Sequence, residues 1–142
     1  MIYVADLMSK RVKTIDSKAS LEEAAKMMTR WKIGSLVITR GGRPTGMITE
    51  GDISKAVGRR LAPSRTRVDF LHRKLVTVGP KMKMEDAARL MATVGVKKLP
   101  VMEGGKLAGI VTQSDIVGMS FTVVTSLKEM VRARYRPPEF EL

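Results

Sequence analysis

One pattern is written twice along this chain. Asp6 to Ile53 lies on Asp69 to Ile116 at a constant offset of 63 without a gap. A period of that length marks two copies of one supersecondary unit, each of which needs the other to bury its open face. The pairs Asp6/Asp69, Thr14/Thr77, Glu22/Glu85, Ala24/Ala87, Ala25/Ala88, Met28/Met91, Leu36/Leu99, Gly41/Gly104, Gly42/Gly105, Gly46/Gly109, Thr49/Thr112, Asp52/Asp115 and Ile53/Ile116 are identical. The chain therefore divides into a first repeat (1–58), a basic linker (59–66) broken at Pro63, a second repeat (67–120) and a C-terminal helix and tail (121–142).

Each copy reads as the same series of elements. Val12 to Ile15 and Leu75 to Val78 are predicted first strands, closed by Asp16-Ser17 and Gly79-Pro80. Leu21, Ala24, Ala25 and Met28, repeated as Met84, Ala87, Ala88 and Met91, have the spacing of one buried helix face. Second strands over Ser35–Thr39 and Leu99–Met102 lead through the turns Gly41-Gly42 and Gly104-Gly105 into third strands over Thr45–Thr49 and Ala108–Thr112. A further helix starts near Asp52 and near Asp115. The result is a mixed α+β (α/β) fold of two β-α-β-β-α units about a pseudo-twofold axis. After the repeats, Ser126 to Tyr135 reads as a last helix with Met130 and Val131 as anchors, ended by Pro137-Pro138, to cover a dimer surface or dock a partner.

Composition narrows the chemistry. The 142 residues hold no cysteine and one histidine, His72, which removes disulfides, thiolate metal sites, cysteine nucleophiles and histidine pairs. No catalytic residue and no metal site is expected. Apolar runs are too short for a membrane span and no secretory signal is visible, so a cytoplasmic protein is expected. The absence of Asn and the single Gln113 fit a thermophile, although eleven Met residues point the other way. A net charge of +12 draws polyanions. Arg59, Arg60, Arg65 and Arg67 make a nucleic-acid-associated protein the alternative reading, but no nucleic-acid-binding motif accompanies them.

The sharpest candidates are Thr49-Glu50-Gly51-Asp52 and Thr112-Gln113-Ser114-Asp115. A threonine three residues before an acid at a helix start is close to a capping box. The same helix N-terminus exposes amides that favour phosphate, and a carboxylate beside it suits the vicinal hydroxyls of a ribose. Both roles are compatible.

In order and twice over, these motifs resemble the cystathionine-β-synthase-type (CBS) domain. They are Val4-Ala5-Asp6-Leu7-Met8 with Val68-Asp69-Phe70-Leu71, Thr14-Ile15 with Thr77-Val78, Ile33-Gly34-Ser35-Leu36-Val37 with Val96-Lys97-Lys98-Leu99-Pro100-Val101, and Gly46 to Asp52 with Gly109 to Asp115. The tandem looks like a CBS pair, or Bateman module. That resemblance implies a regulatory module, frequently a homodimer, which needs no cofactor. It would bind AMP, ADP, ATP or S-adenosylmethionine between its repeats and signal to a regulated protein. It implies further that Asp52 and Asp115 hold the ribose, that Thr49 and Thr112 contact ribose or phosphate, that Thr14, Ile15, Thr77 and Val78 receive the adenine, and that Ile33 and Val96 wall it. Many members carry Arg immediately before the Asp, where this chain has Gly51 and Ser114; Lys97 and Lys98 are the expected replacements for phosphate.

Overall fold

The computed structural model describes residues 1–71 and 73–134, so His72 and the predicted tail features from Tyr135 onward lie outside the described residues. The two halves follow the repeat. In the first, β1 (Thr14–Asp16) runs parallel to β2 (Ser35–Arg40), which pairs antiparallel with β3 (Arg43–Thr49). In the second, β5 (Lys98–Glu103) and β6 (Lys106–Thr112) form the matching hairpin. Helix α2 (Leu21–Trp31) starts at Ser20, whose Oγ accepts from the Glu23 amide at 3.1 Å, and α4 (Met84–Val94) is its counterpart. Both end in a left-handed residue, Lys32 at φ 53° and Gly95 at φ 77°, a common way to satisfy the last carbonyls of a helix. The predicted apolar stripes are the buried faces: Leu21, Ala24, Met28, Ala87 and Met91 all lie in the cores.

The predicted strand over Leu75 to Val78 is reduced to one parallel bridge, Val78 with Val101, which repeats the register of Ile15 with Ile38. The cause is a single residue. In the first copy the Val37 amide donates to the Lys13 carbonyl at 3.1 Å. The same position in the second copy is Pro100, which has no N–H to give.

The segments that precede the repeats are exchanged between them. Helix α1 (Val4–Leu7) belongs by sequence to copy one, yet the Val4 amide donates to Met82 at 2.8 Å and Val4 is fully buried with Val78, Ala87, Met91, Leu99, Val101, Val111 and Ile116. The Val68 amide likewise donates to Ala19 at 2.8 Å, and Val68 completes the core of Ile15, Leu21, Ala24, Met28, Leu36, Ile38, Ile48 and Ala56. Ser9 pairs with Ile110 beside β6, and β4 (Arg73–Lys74) pairs with β3. Gly109 permits the first of these approaches: a Cβ there would stand 2.8 Å from the Ser9 carbonyl oxygen.

The exchange corrects the gapless alignment at its start. Val4 and Val68 do the same work but are 64 positions apart, whereas the carbonyls they bind are 63 apart. The identity of Asp6 and Asp69 is therefore not structural. Asp6 accepts from the Tyr3 amide at 2.8 Å, while Asp69 holds the Arg67 guanidinium, with Nε 3.0 Å away.

Helix α3 (Glu50–Gly58) closes the first copy, and α5 (Gln113–Arg134), 22 residues long, starts in the second copy and runs on beyond it without the break expected before Ser126. Its hydroxyls stay on the helix, Ser120 and Thr122 donating to the carbonyls of Ile116 and Gly118, both at 3.0 Å. Among the described residues no helix is long and apolar enough to cross a membrane. Val117, Phe121, Val124, Leu127 and Val131 instead form an exposed apolar stripe along α5.

Candidate functional site

Two hollows lie between the repeats and are related by the offset of the sequence. The larger, about 360 Å³, takes Gly34, Ser35, Met47, Thr49, Glu50 and Gly51 from copy one and Lys74, Val76, Gly95, Val96, Lys97 and Lys98 from copy two. The smaller, about 200 Å³, is lined by Ser9, Arg11, Val12, Lys13, Ile33, Ser35, Val37, Lys98, Ile110 and Thr112. Thr49 answers to Thr112, Val96 to Ile33, Met47 to Ile110 and Lys74 to Arg11. Each hollow thus combines an apolar wall, a threonine at a helix start and several cations. The larger adds one carboxylate, Glu50, close over Gly34.

The helix starts share one capping pattern. Thr49 caps α3: its Oγ1 accepts from the Asp52 amide at 3.2 Å, while its own amide and hydroxyl both donate to Asp52 Oδ2 at 2.9 Å. At α5 the Thr112 amide donates to Asp115 Oδ2 at 2.8 Å and the Asp115 amide to Thr112 Oγ1 at 3.1 Å. The next amide is also held in both copies, Glu50 by the Gly34 carbonyl at 3.0 Å and Gln113 by the Lys97 carbonyl at 2.8 Å. Strand and helix are locked at the junction that faces each hollow.

The sequence-predicted residues divide into three groups. Thr49, Val96, Lys97 and Lys98 line the larger hollow, and Ile33, Thr112 and Lys98 the smaller. Asp52, buried, and Asp115, half-buried, line neither; each accepts from the amide of its own threonine in the capping box. Thr14 and Thr77 are exposed outside both hollows, and the side chains of Ile15 and Val78 belong to the two cores. Burial of these two side chains leaves the backbone of Ile15 and Val78 for the expected adenine contact, while Lys13 and Val76, two residues earlier in each copy, line the hollows. Sequence reasoning missed Ser35, Glu50, Arg11, Lys13 and Lys74. Ser35 was the findable one, since its partner across the repeat is the already suspected Lys98. Lys13 is held by Trp31, its Nζ 3.7 Å from the ring centroid.

The family pattern for the CBS domain matches residues 4–59 and again 67–121. The chain belongs to the CBS domain family. A CBS domain-containing protein of Bacillus subtilis, YhcV, is 31% identical over 117 residues, covering 82% of this chain and 84% of its own length. Two further relatives, both from Methanocaldococcus jannaschii, are longer: MJ1225 and MJ0653 are spanned over 41% and 62% of their lengths. Among solved structures, a putative signal-transduction protein with CBS domains from Burkholderia ambifaria superposes with TM-score 0.81 at 26% identity, over 85% of this chain and 95% of that one. The CBS domain pair of protein MJ0100, described in complex with 5′-methylthioadenosine and S-adenosyl-L-methionine, superposes with TM-score 0.78 at 27% identity, over 85% and 97%. This CBS pair therefore has the fold expected from its repeat.

Proposed function

We propose that this CBS pair is a non-catalytic regulatory module that binds an adenosine-containing ligand, AMP, ADP, ATP or S-adenosylmethionine, between its repeats and passes the bound state to another protein. The observation that carries the reading is the duplicated hollow itself. A purine needs an apolar wall, which Val96 and Ile33 supply; a ribose needs positioned polar groups, which Thr49 and Thr112 supply; a phosphate needs cations, which Lys74, Lys97 and Lys98 or Arg11 and Lys13 supply. The complex of MJ0100 with two adenosyl compounds adds weight at 27% identity. Asp52 and Asp115 enter this reading as one unit with their threonines: each carboxylate fixes the junction on which the ribose rests. A ligand that touches both repeats shifts their packing by its differential affinity for two arrangements.

Isothermal titration with AMP, ATP and S-adenosylmethionine tests this. Saturable binding of at least one is expected, weakened about tenfold or more in a Thr49→Val, Thr112→Val double variant through loss of the positioned hydroxyls. No heat with any of the three contradicts it. The nucleic-acid alternative predicts instead a salt-steep affinity for duplex that vanishes when Arg59, Arg60, Arg65 and Arg67 are neutralised. Of these four, Arg67 is already committed to Asp69.

A further inference from the structure

Ser35 and Lys98 are the same position in the two copies, and they touch: Lys98 Nζ donates to Ser35 Oγ at 2.9 Å. Both side chains line both hollows. The pseudo-twofold axis passes between them, so a nearly symmetric pair of sites carries one unsymmetric element at its centre, a single ammonium facing a hydroxyl. Two lysines there would repel at contact distance, and two serines would leave no cation. Away from the axis each hollow has its own cations, Lys74 and Lys97 in the larger and Arg11 and Lys13 in the smaller.

We propose, resting on the adenosyl reading above, that Lys98 is one anion-binding group shared by two ligand sites, so that a phosphate-bearing ligand in one hollow weakens the next in the other. An ammonium is a compact charge on a flexible four-carbon stem, free to leave a serine hydroxyl for a phosphate on either side. Once a phosphate takes it, the second hollow faces a neutralised cation. An uncharged nucleoside leaves Lys98 on Ser35 and carries no such penalty. The hollows then communicate through the charge of the ligand, not its base.

Equilibrium dialysis of AMP and of adenosine separates this from mere inequality of the hollows. Val96→Trp fills the larger hollow and isolates the smaller; Ile33→Trp does the reverse and serves as the second reading. Each isolated hollow, the larger as well as the smaller, is expected to bind AMP about tenfold or more tighter than the weaker site of the unmodified chain, the loss of one charge-assisted contact. Adenosine constants are expected to stay the same. In Lys98→Gln the AMP difference is expected to disappear. An AMP constant unaltered by blocking the other hollow overturns the proposal, as does a difference that persists in Lys98→Gln, which would be repulsion between the phosphates alone. Failure of both AMP and adenosine to bind the unmodified chain overturns the underlying reading of the hollows, and the proposal with it.

Discussion

Val4→Asp is expected to dismantle the second repeat while sparing the first, although Val4 precedes both. The side chain is fully buried and packs with Val78, Ala87, Met91, Leu99 and Val101. A carboxylate placed there would be enclosed by these apolar side chains, at a cost of about 4 kcal/mol or more, a large share of the ~5–15 kcal/mol that holds a typical domain. Because the two cores are separate clusters, amide exchange should accelerate in α4, β5 and β6 well before α2, β2 and β3. Val68→Asp should give the mirror image, since Val68 completes the first core. Uniform acceleration, or loss confined to the first repeat in Val4→Asp, would contradict the exchange of lead segments.

Phe121→Glu is expected to turn a homodimer into a monomer. Phe121 is 73% exposed and sits with Val117, Val124, Leu127 and Val131 on one face of α5, outside the described cores. An exposed apolar stripe of this kind calls for cover, and a second copy would lay the same stripe against it. In a twofold interface one substitution appears twice, so two carboxylates would be driven into the apolar contact together. Light scattering at micromolar concentration should give twice the chain mass for the unmodified protein and the single-chain mass for the variant. A monomeric starting protein, or a variant that stays dimeric, would refute this use of α5.

The repeat made most of the fold legible. Alternating apolar runs, paired glycines and the stripe from Leu21 to Met28 are local signals, and each copy confirmed the other. What the sequence hid was contact between copies. No periodicity announces that Val4 belongs with Met91, and the identity of Asp6 and Asp69 disguised a one-residue slip. Pro100 was in view, yet its effect on the strand before it depends on the amide that Val37 donates in the other copy. In the site, Thr49 and Thr112 followed from the strand-to-helix junction. Family motifs name positions and not orientations: the Ile15 and Val78 side chains lie in the two cores, which leaves only their backbone for the expected adenine contact. The acids illustrate the same limit: Asp52 and Asp115 occupy the motif, and each carboxylate ties strand to helix at its own junction.

Crystals of the full chain grown with AMP test the central claim most directly. The account predicts purine density against Val96 or Ile33, with the ribose at Thr49 or Thr112 and the phosphate toward Lys98. Nucleotide density found only along the arginines of residues 59–67, with both inter-repeat hollows filled by water, would contradict it.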